Sequence, residues 1–143
     1  MSKELISIPL SRKLVTTLIK KGTEATEVIS HTLKEHGITI QQFNVLRILR
    51  GRKGKAASLQ DVSKEMIHAN SNTTRVIDKL VDKKLVDRVQ CPKDRRQIEL
   101  TITADGLNLL IVLDQKVDAA ESELTSQLDE QSLLILIEKL ENI

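Results

Sequence analysis

The chain has almost no aromatic side chains. Phe43 is the only one in 143 residues, and tryptophan and tyrosine are absent. That excludes single-strand binding by stacking bases on aromatic platforms. Cys91 is the one cysteine, so no internal disulfide can form, which suits a reducing cytoplasm. With two prolines and five glycines there are few breakers, yet no apolar run approaches the roughly 18 residues of a membrane span. The first residues, Met1-Ser2-Lys3-Glu4-Leu5-Ile6, lack the pattern of a secretory signal. Histidine is limited to His31, His36 and His68, and no glycine-rich phosphate loop appears. Neither a hydrolytic triad nor a metal cluster assembles from such a set, so the expectation is no enzyme, no metal and no cofactor.

What is present is a 40% hydrophobic chain, read as a single domain over 1–143 that is long enough to bury a core. Its net charge of +2 hides an asymmetry. Residues 1–67 hold twelve Lys or Arg against six acids, and 68–103 hold eight against five. Residues 104–143 hold two against nine. The first two stretches are where a polyanion would bind, and the acidic end would lie away from it.

Apolar periodicity predicts a long helix from Ser11 to His36, stopped by Gly37, after an irregular apolar arm with Leu5, Ile6, Ile8 and Leu10. Thr39 and Gln42 have capping-box spacing and open a helix to about Arg50. Arg50-Gly51-Arg52-Lys53-Gly54-Lys55 reads as a solvated basic turn. Ser58 then caps a short helix with Leu59, Val62 and Met66 inward. A second amphipathic helix follows a turn at 67–70, with Ser71 or Asn70 as its cap. Thr73, Val76, Ile77, Leu80 and Val81 line its apolar side. Ser71, Arg75, Asp78 and Lys79 fall opposite, flanked by Asn72 and Thr74. That polar face has the donors and acceptors needed to read base edges.

The period then changes to two. Leu85–Val89 and Ile98–Ile102 alternate as half-buried strands around a polar tip, Gln90 to Gln97. Helix followed by a hairpin with a cationic tip is the order of a winged helix-turn-helix. The helix fits a major groove, and the tip reaches a phosphate or the minor groove. Thr103 caps another long helix over 104–127, whose Leu110, Leu113, Val117, Ala120 and Leu124 form a coiled-coil-like seam. Asp129 caps the last helix, apolar all round at Leu133–Ile137, with Leu140 following. The fold class is mainly α with a small β-hairpin wing. Long terminal helices at 1–36 and 104–143 are expected to dimerise and flank a DNA-binding lobe at 39–103.

The run Thr74–Leu80, the Asp94-Arg95-Arg96 tip and Leu100–Gly106 resemble the MarR family of bacterial transcriptional regulators. Its wing signature, Asp-x-Arg, is matched by Asp94 and Arg96. One departure is Lys83-Lys84, where the family usually has glycine after the recognition helix. The resemblance implies that Arg96 enters the minor groove, oriented by Asp94. It further implies that the chain ends intertwine into a two-fold dimer on a near-palindromic operator. In some members, residues matching Thr74 and Arg88 line a site for aromatic carboxylates, so a small aromatic or anionic effector is expected there.

The expected DNA contacts are thus Ser71, Asn72, Thr74, Arg75 and Lys79 from the helix and Lys93, Asp94, Arg95 and Arg96 from the wing. Lys93 and Arg95 would hold phosphates. Cys91 lies near Lys93, Arg95 and Arg96, a setting of the kind that makes thiols reactive, and is a candidate oxidation sensor. The family's peroxide sensors carry theirs near the N-terminus instead. The expected homodimer contacts are Leu110, Val117, Leu124, Leu133, Leu136, Ile137 and Leu140. Together these readings make the protein a cytoplasmic, sequence-specific regulator of double-stranded DNA, a repressor released by a small ligand or by oxidation. A winged helix serving only protein interaction is the alternative.

Overall fold

Six helices and one antiparallel hairpin make up the computed structural model, which describes residues 7–67 and 72–143. Ser71, the turn residues His68, Ala69 and Asn70, and Leu5 and Ile6 of the apolar arm lie outside the described residues. The chain runs α1 (Leu10–Lys34), α2 (Ile40–Gly51), α3 (Leu59–Glu65), α4 (Thr73–Asp82), β1 (Val86–Cys91), β2 (Asp94–Ile102), α5 (Ala104–Leu124) and α6 (Glu130–Glu141). This is the expected winged helix-turn-helix with long terminal helices.

Local chemistry sets most boundaries. Thr39 and Gln42, and Ser58 and Asp61, form complete capping boxes that satisfy the orphan N–H groups opening α2 and α3. Thr103 and Asp129 cap α5 and α6 by accepting from the N–H groups of Gly106 and Ser132. α1 ends with Gly37 in the left-handed region, φ +67°. The N–H groups of Gly37 and Ile38 reach back to the carbonyls of Lys34 and Leu33, and Leu33 and Ile38 are both buried. α4 ends in the same motif without glycine. Lys84 holds φ +63° and donates to Val81, while Leu85 donates to Leu80. The turn that the family builds with glycine is therefore made by a lysine.

The core joins α1, α2, α4, the hairpin and α5, with Leu33, Leu46, Ile77, Leu80, Leu100 and Leu113 fully buried. Ala57 bridges to Leu100 and tacks the α2–α3 connection to the hairpin. α5 packs along α1 and against α2. Leu110 and Val117, expected at a dimer seam, are fully buried in this single-chain core. A stripe at alternating three and four spacings is what any packed helix needs, and here α1 and α2 cover it. Leu124, Leu136 and Ile137 are exposed, Leu133 and Leu140 half-buried, and no residue of α6 is buried within the chain. On α1, Leu10, Leu14, Val15 and Ile19 are also exposed. Ile8 of the arm is exposed too.

Candidate nucleic-acid interface

α4 turns its two faces to different tasks. Thr73, Ile77 and Leu80 are buried, whereas Asn72, Thr74, Arg75 and Lys79 are exposed. Asn72 is the cap: its side-chain oxygen accepts from the N–H of Arg75 at 3.2 Å. This corrects the expected cap at Asn70 or Ser71. It also occupies the oxygen of a residue expected to touch DNA, leaving its amide N–H₂ free to donate.

The wing is longer and tighter than expected. The strands run to Cys91 and from Asp94, so Asp94 and Arg96 belong to β2 and the tip is only Pro92-Lys93. A register shift between Gln90 and Cys91 sets Cys91 directly across from Asp94. Cys91 is half-buried, and its direct cross-strand neighbour is an acid rather than one of the three bases that suggested a sensor. Asp94 Oδ1 accepts the backbone N–H of Arg96 at 3.0 Å. Among the described residues no ion pair joins the two side chains, so the aspartate acts on the arginine's backbone and leaves the guanidinium free. Lys93 and Arg96 are exposed. Arg95 lies in β2, with its backbone alone described.

A second correction concerns the start of the first strand. Leu85 belongs to the turn that ends α4, and β1 begins at Val86. Val89 is 57% exposed, and Arg88 shares a side with Val86, opposite Leu100. From there Arg88 ion-pairs with Asp78 of α4. Thr74, Asp78 and Arg88 line one cavity of about 30 Å³, floored by Ile77, Ile98 and Leu100. It has room for little more than a water. The expected pair Thr74 and Arg88 is thus brought together, but Asp78 already occupies the guanidinium. Asp78 is the residue sequence reasoning missed.

The charges sort by partner. Arg47 and Arg50 bind Asp114, Arg52 lies beside Asp61 and Glu65, Lys116 beside Glu35, and Lys21 beside Glu24. Arg75, Lys79, Lys93 and Arg96 have no carboxylate within ion-pair reach among the described residues. These four lie on α4 and the wing; other cations unpaired among the described residues, such as Lys13 and Lys20 on α1 and Lys64 on α3, lie elsewhere. No group of three or more His, Cys, Asp or Glu side chains suited to a metal occurs among the described residues.

The residue profile of the MarR family matches residues 38–98, which span α2 to the middle of β2. The transcriptional regulator MhqR of Bacillus subtilis (strain 168) is 29% identical over 133 residues, 93% of this chain and 90% of that protein. Residues 38–98 thus match a MarR-family domain. This is a family of transcriptional regulators, not of enzymes. Among solved structures, BpsR of Bordetella bronchiseptica superposes with a TM-score of 0.81 at 24% identity, covering 91% of this chain and 97% of that one. The DNA binding of BpsR is regulated by 6-hydroxynicotinic acid. A cysteine-to-serine mutant of MarR from E. coli, solved with operator DNA, superposes at 0.80 and 24% identity, covering 91% and 92%. Both likenesses are of fold. No helix among the described residues is long and apolar enough to cross a membrane.

Proposed function

We propose that the protein is a dimeric, cytoplasmic regulator that binds a near-palindromic operator through α4 in the major groove and the wing beside it. The observation that carries this is the exposed polar face of α4 beside the wing: Arg75, Lys79, Lys93 and Arg96 are exposed there with no carboxylate in ion-pair reach among the described residues, while Ile77 and Leu80 bury the other face of the helix. Arg75 reads bases, aided by Thr74 and Asn72. Lys79, Lys93 and Arg95 hold phosphates, Arg96 enters the minor groove, and Ser71 extends the contact at the start of α4. Residues 39–103 form the reading lobe, and the terminal helices form the dimer.

Support for a dimer comes from the uncovered apolar side chains of α6 and the first half of α1. A groove of about 830 Å³ between α1 and the end of α5, lined by Val28, Ala120 and Leu124 among three glutamates, adds further uncovered surface on the same helices. A two-fold pair would offer two α4 helices to half-sites one helical turn apart. Selection of bound duplexes from a random pool tests this reading. It predicts an inverted repeat, and recovery of no preferred sequence would overturn it.

A regulatory reading has its own support. Arg88 and Thr74 receive a small aromatic carboxylate when Asp78 swings away and the cavity, closed to more than a water as it stands, opens; a guanidinium beside a hydroxyl suits such an anion. BpsR, whose DNA binding responds to an aromatic acid, is a precedent for the chemistry. The protein is then a repressor released by its ligand. Release of the selected duplex by such an acid, abolished by Arg88→Gln, is the expected result.

A further inference from the structure

We propose that Asp114 is a positioning residue that sets the tilt of the DNA-reading lobe against the long helices. α2 packs on both α4 and α5, whereas α4 and α5 share no comparable contact. The end of α4 is tied to the start of α5 by the Thr103 bonds to Lys84 and Leu85, so the tilt about that joint depends on how α2 is seated on α5. That seat is mostly apolar, built on Leu110, Leu113 and Val117. Apolar contacts resist separation but have little directional preference.

The directional element is one carboxylate. Asp114 Oδ1 accepts from Nε and Nη2 of Arg47 at 3.2 and 2.9 Å, and Oδ2 accepts from Nη1 of Arg50. Arg47 is itself held over the ring of Phe43, 4.2 Å from its centroid. Two guanidiniums one turn apart on α2 are thus fixed by both oxygens of one side chain on α5. These are the only ion pairs between α2 and α5 among the described residues. Charge-assisted hydrogen bonds of this kind constrain angle as well as distance. Without the carboxylate, two like charges would face each other on α2 and the lobe could rock on its apolar seat.

This inference rests on the DNA-reading assignment of α4 and the wing, and it concerns spacing between half-sites rather than recognition within one. The test compares wild type, Asp114→Asn and Asp114→Glu on duplexes carrying the selected operator with its centre unchanged, lengthened or shortened by a single base pair. A duplex with a lone half-site is the control. We expect Asp114→Asn to lose about tenfold in affinity on the best-spaced duplex. It should bind the half-site as wild type does and discriminate poorly between spacings. Asp114→Glu should restore discrimination. A loss of stability alone would weaken all duplexes together and leave the spacing preference as it was, and that result would overturn the proposal.

A readout without DNA separates the two assignments. Spin labels on Lys79→Cys and Glu121→Cys, in a Cys91→Ser chain diluted with unlabelled protein, report the lobe-to-α5 distance. The distribution should be narrow with Asp114 in place and broad in the Asp114→Asn variant. Equal widths would overturn the clasp. If Arg75→Ala and Arg96→Ala left operator affinity unchanged, the reading assignment would fall, and the label widths alone would decide the role of Asp114.

Discussion

Asp94 and Arg96 of β2 are joined through the backbone: the aspartate's Oδ1 takes the arginine's N–H at 3.0 Å, and the guanidinium stays free. The carboxylate thus stiffens the strand beside the tip without neutralising the cation that the tip presents. Arg96→Ala should cost operator affinity about 1.5–3 kcal/mol, the range of a hydrogen bond to a charged group. Asp94→Ala should cost less, because it loosens the backbone and leaves the cation in place. Gel-shift titrations at matched salt measure both, and wild-type affinity for Arg96→Ala would remove it from the interface.

Arg75 and Lys93 separate reading from holding. Arg75→Ala should relax base preference at one position by about 1–3 kcal/mol if its contact is bidentate. Lys93→Ala should weaken all sequences alike and flatten the salt dependence by roughly one unit of slope. Affinities across a panel of single-base variants at several salt concentrations distinguish the two patterns.

Lys84 stands where α1 has Gly37, in the same motif and the same left-handed region. A side chain there carries strain of about 1 kcal/mol that glycine avoids, partly offset by glycine's greater freedom in the unfolded chain. Lys84→Gly should therefore raise the stability measured by urea unfolding by a few tenths of a kcal/mol or more. Lys84→Ala, which keeps a Cβ, should bring no such gain. A lower midpoint for the glycine variant would mean that the lysine's stem contributes packing outweighing the strain.

Leu136 is 44% exposed on α6 in the single chain, so a carboxylate there should leave the protomer folded. In the proposed dimer the same carboxylate would be buried unpaired, at a cost of about 3 kcal/mol or more. Leu136→Asp should sediment as a monomer and lose most operator affinity, with the reading face untouched. An intact dimer with unchanged affinity would move the interface elsewhere.

Acid should erode stability through three carboxyls whose folded values are depressed. Partial burial pushes Asp114 up, but hydrogen bonds from Arg50 and Arg47, together with their charges, outweigh it and hold the group below its ordinary 3.8. Asp61 is held down by the Ser58 N–H and hydroxyl, and Asp129 by its bonds to Ser132. A depressed folded value means that the stabilisation is whole above the ordinary value and is lost as pH falls through the folded one. Unfolding midpoints should be flat above about pH 5 and fall below about 4. Asp114→Asn should have a shallower acid limb, and parallel limbs would contradict the ion cluster.

Legibility followed sequence distance. The caps at Thr39, Ser58, Thr103 and Asp129 were readable because each is a contact over three residues. The cap of α4 was not, since Asn70, Ser71 and Asn72 are equally able to accept an N–H. Strand existence was readable, but the start of β1 was not, because Leu85 is buried by a turn rather than by a strand. Leu110 and Val117 show another limit: a stripe on α5 states that something covers it, not which chain does. Asp114 and Arg47 are 67 residues apart, a separation over which charge pattern carries no pairing information.

Thr103 joins three elements at the root of the wing. Its hydroxyl donates to the carbonyl of Lys84 and accepts from Gly106, and its N–H donates to Leu85. A Cβ at Gly106 would come within 2.5 Å of the Leu85 carbonyl oxygen. Insertions and deletions should consequently be tolerated very unevenly along the hairpin. Residues added at Pro92-Lys93 would lengthen the reach and disturb no helix. One residue added between Ile102 and Ala104 would turn α5 by about 100° about its axis, swinging Leu110, Asp114 and Val117 off α1 and α2 together. Length variation can therefore alter how far this wing reaches, while its base has to keep its residue count.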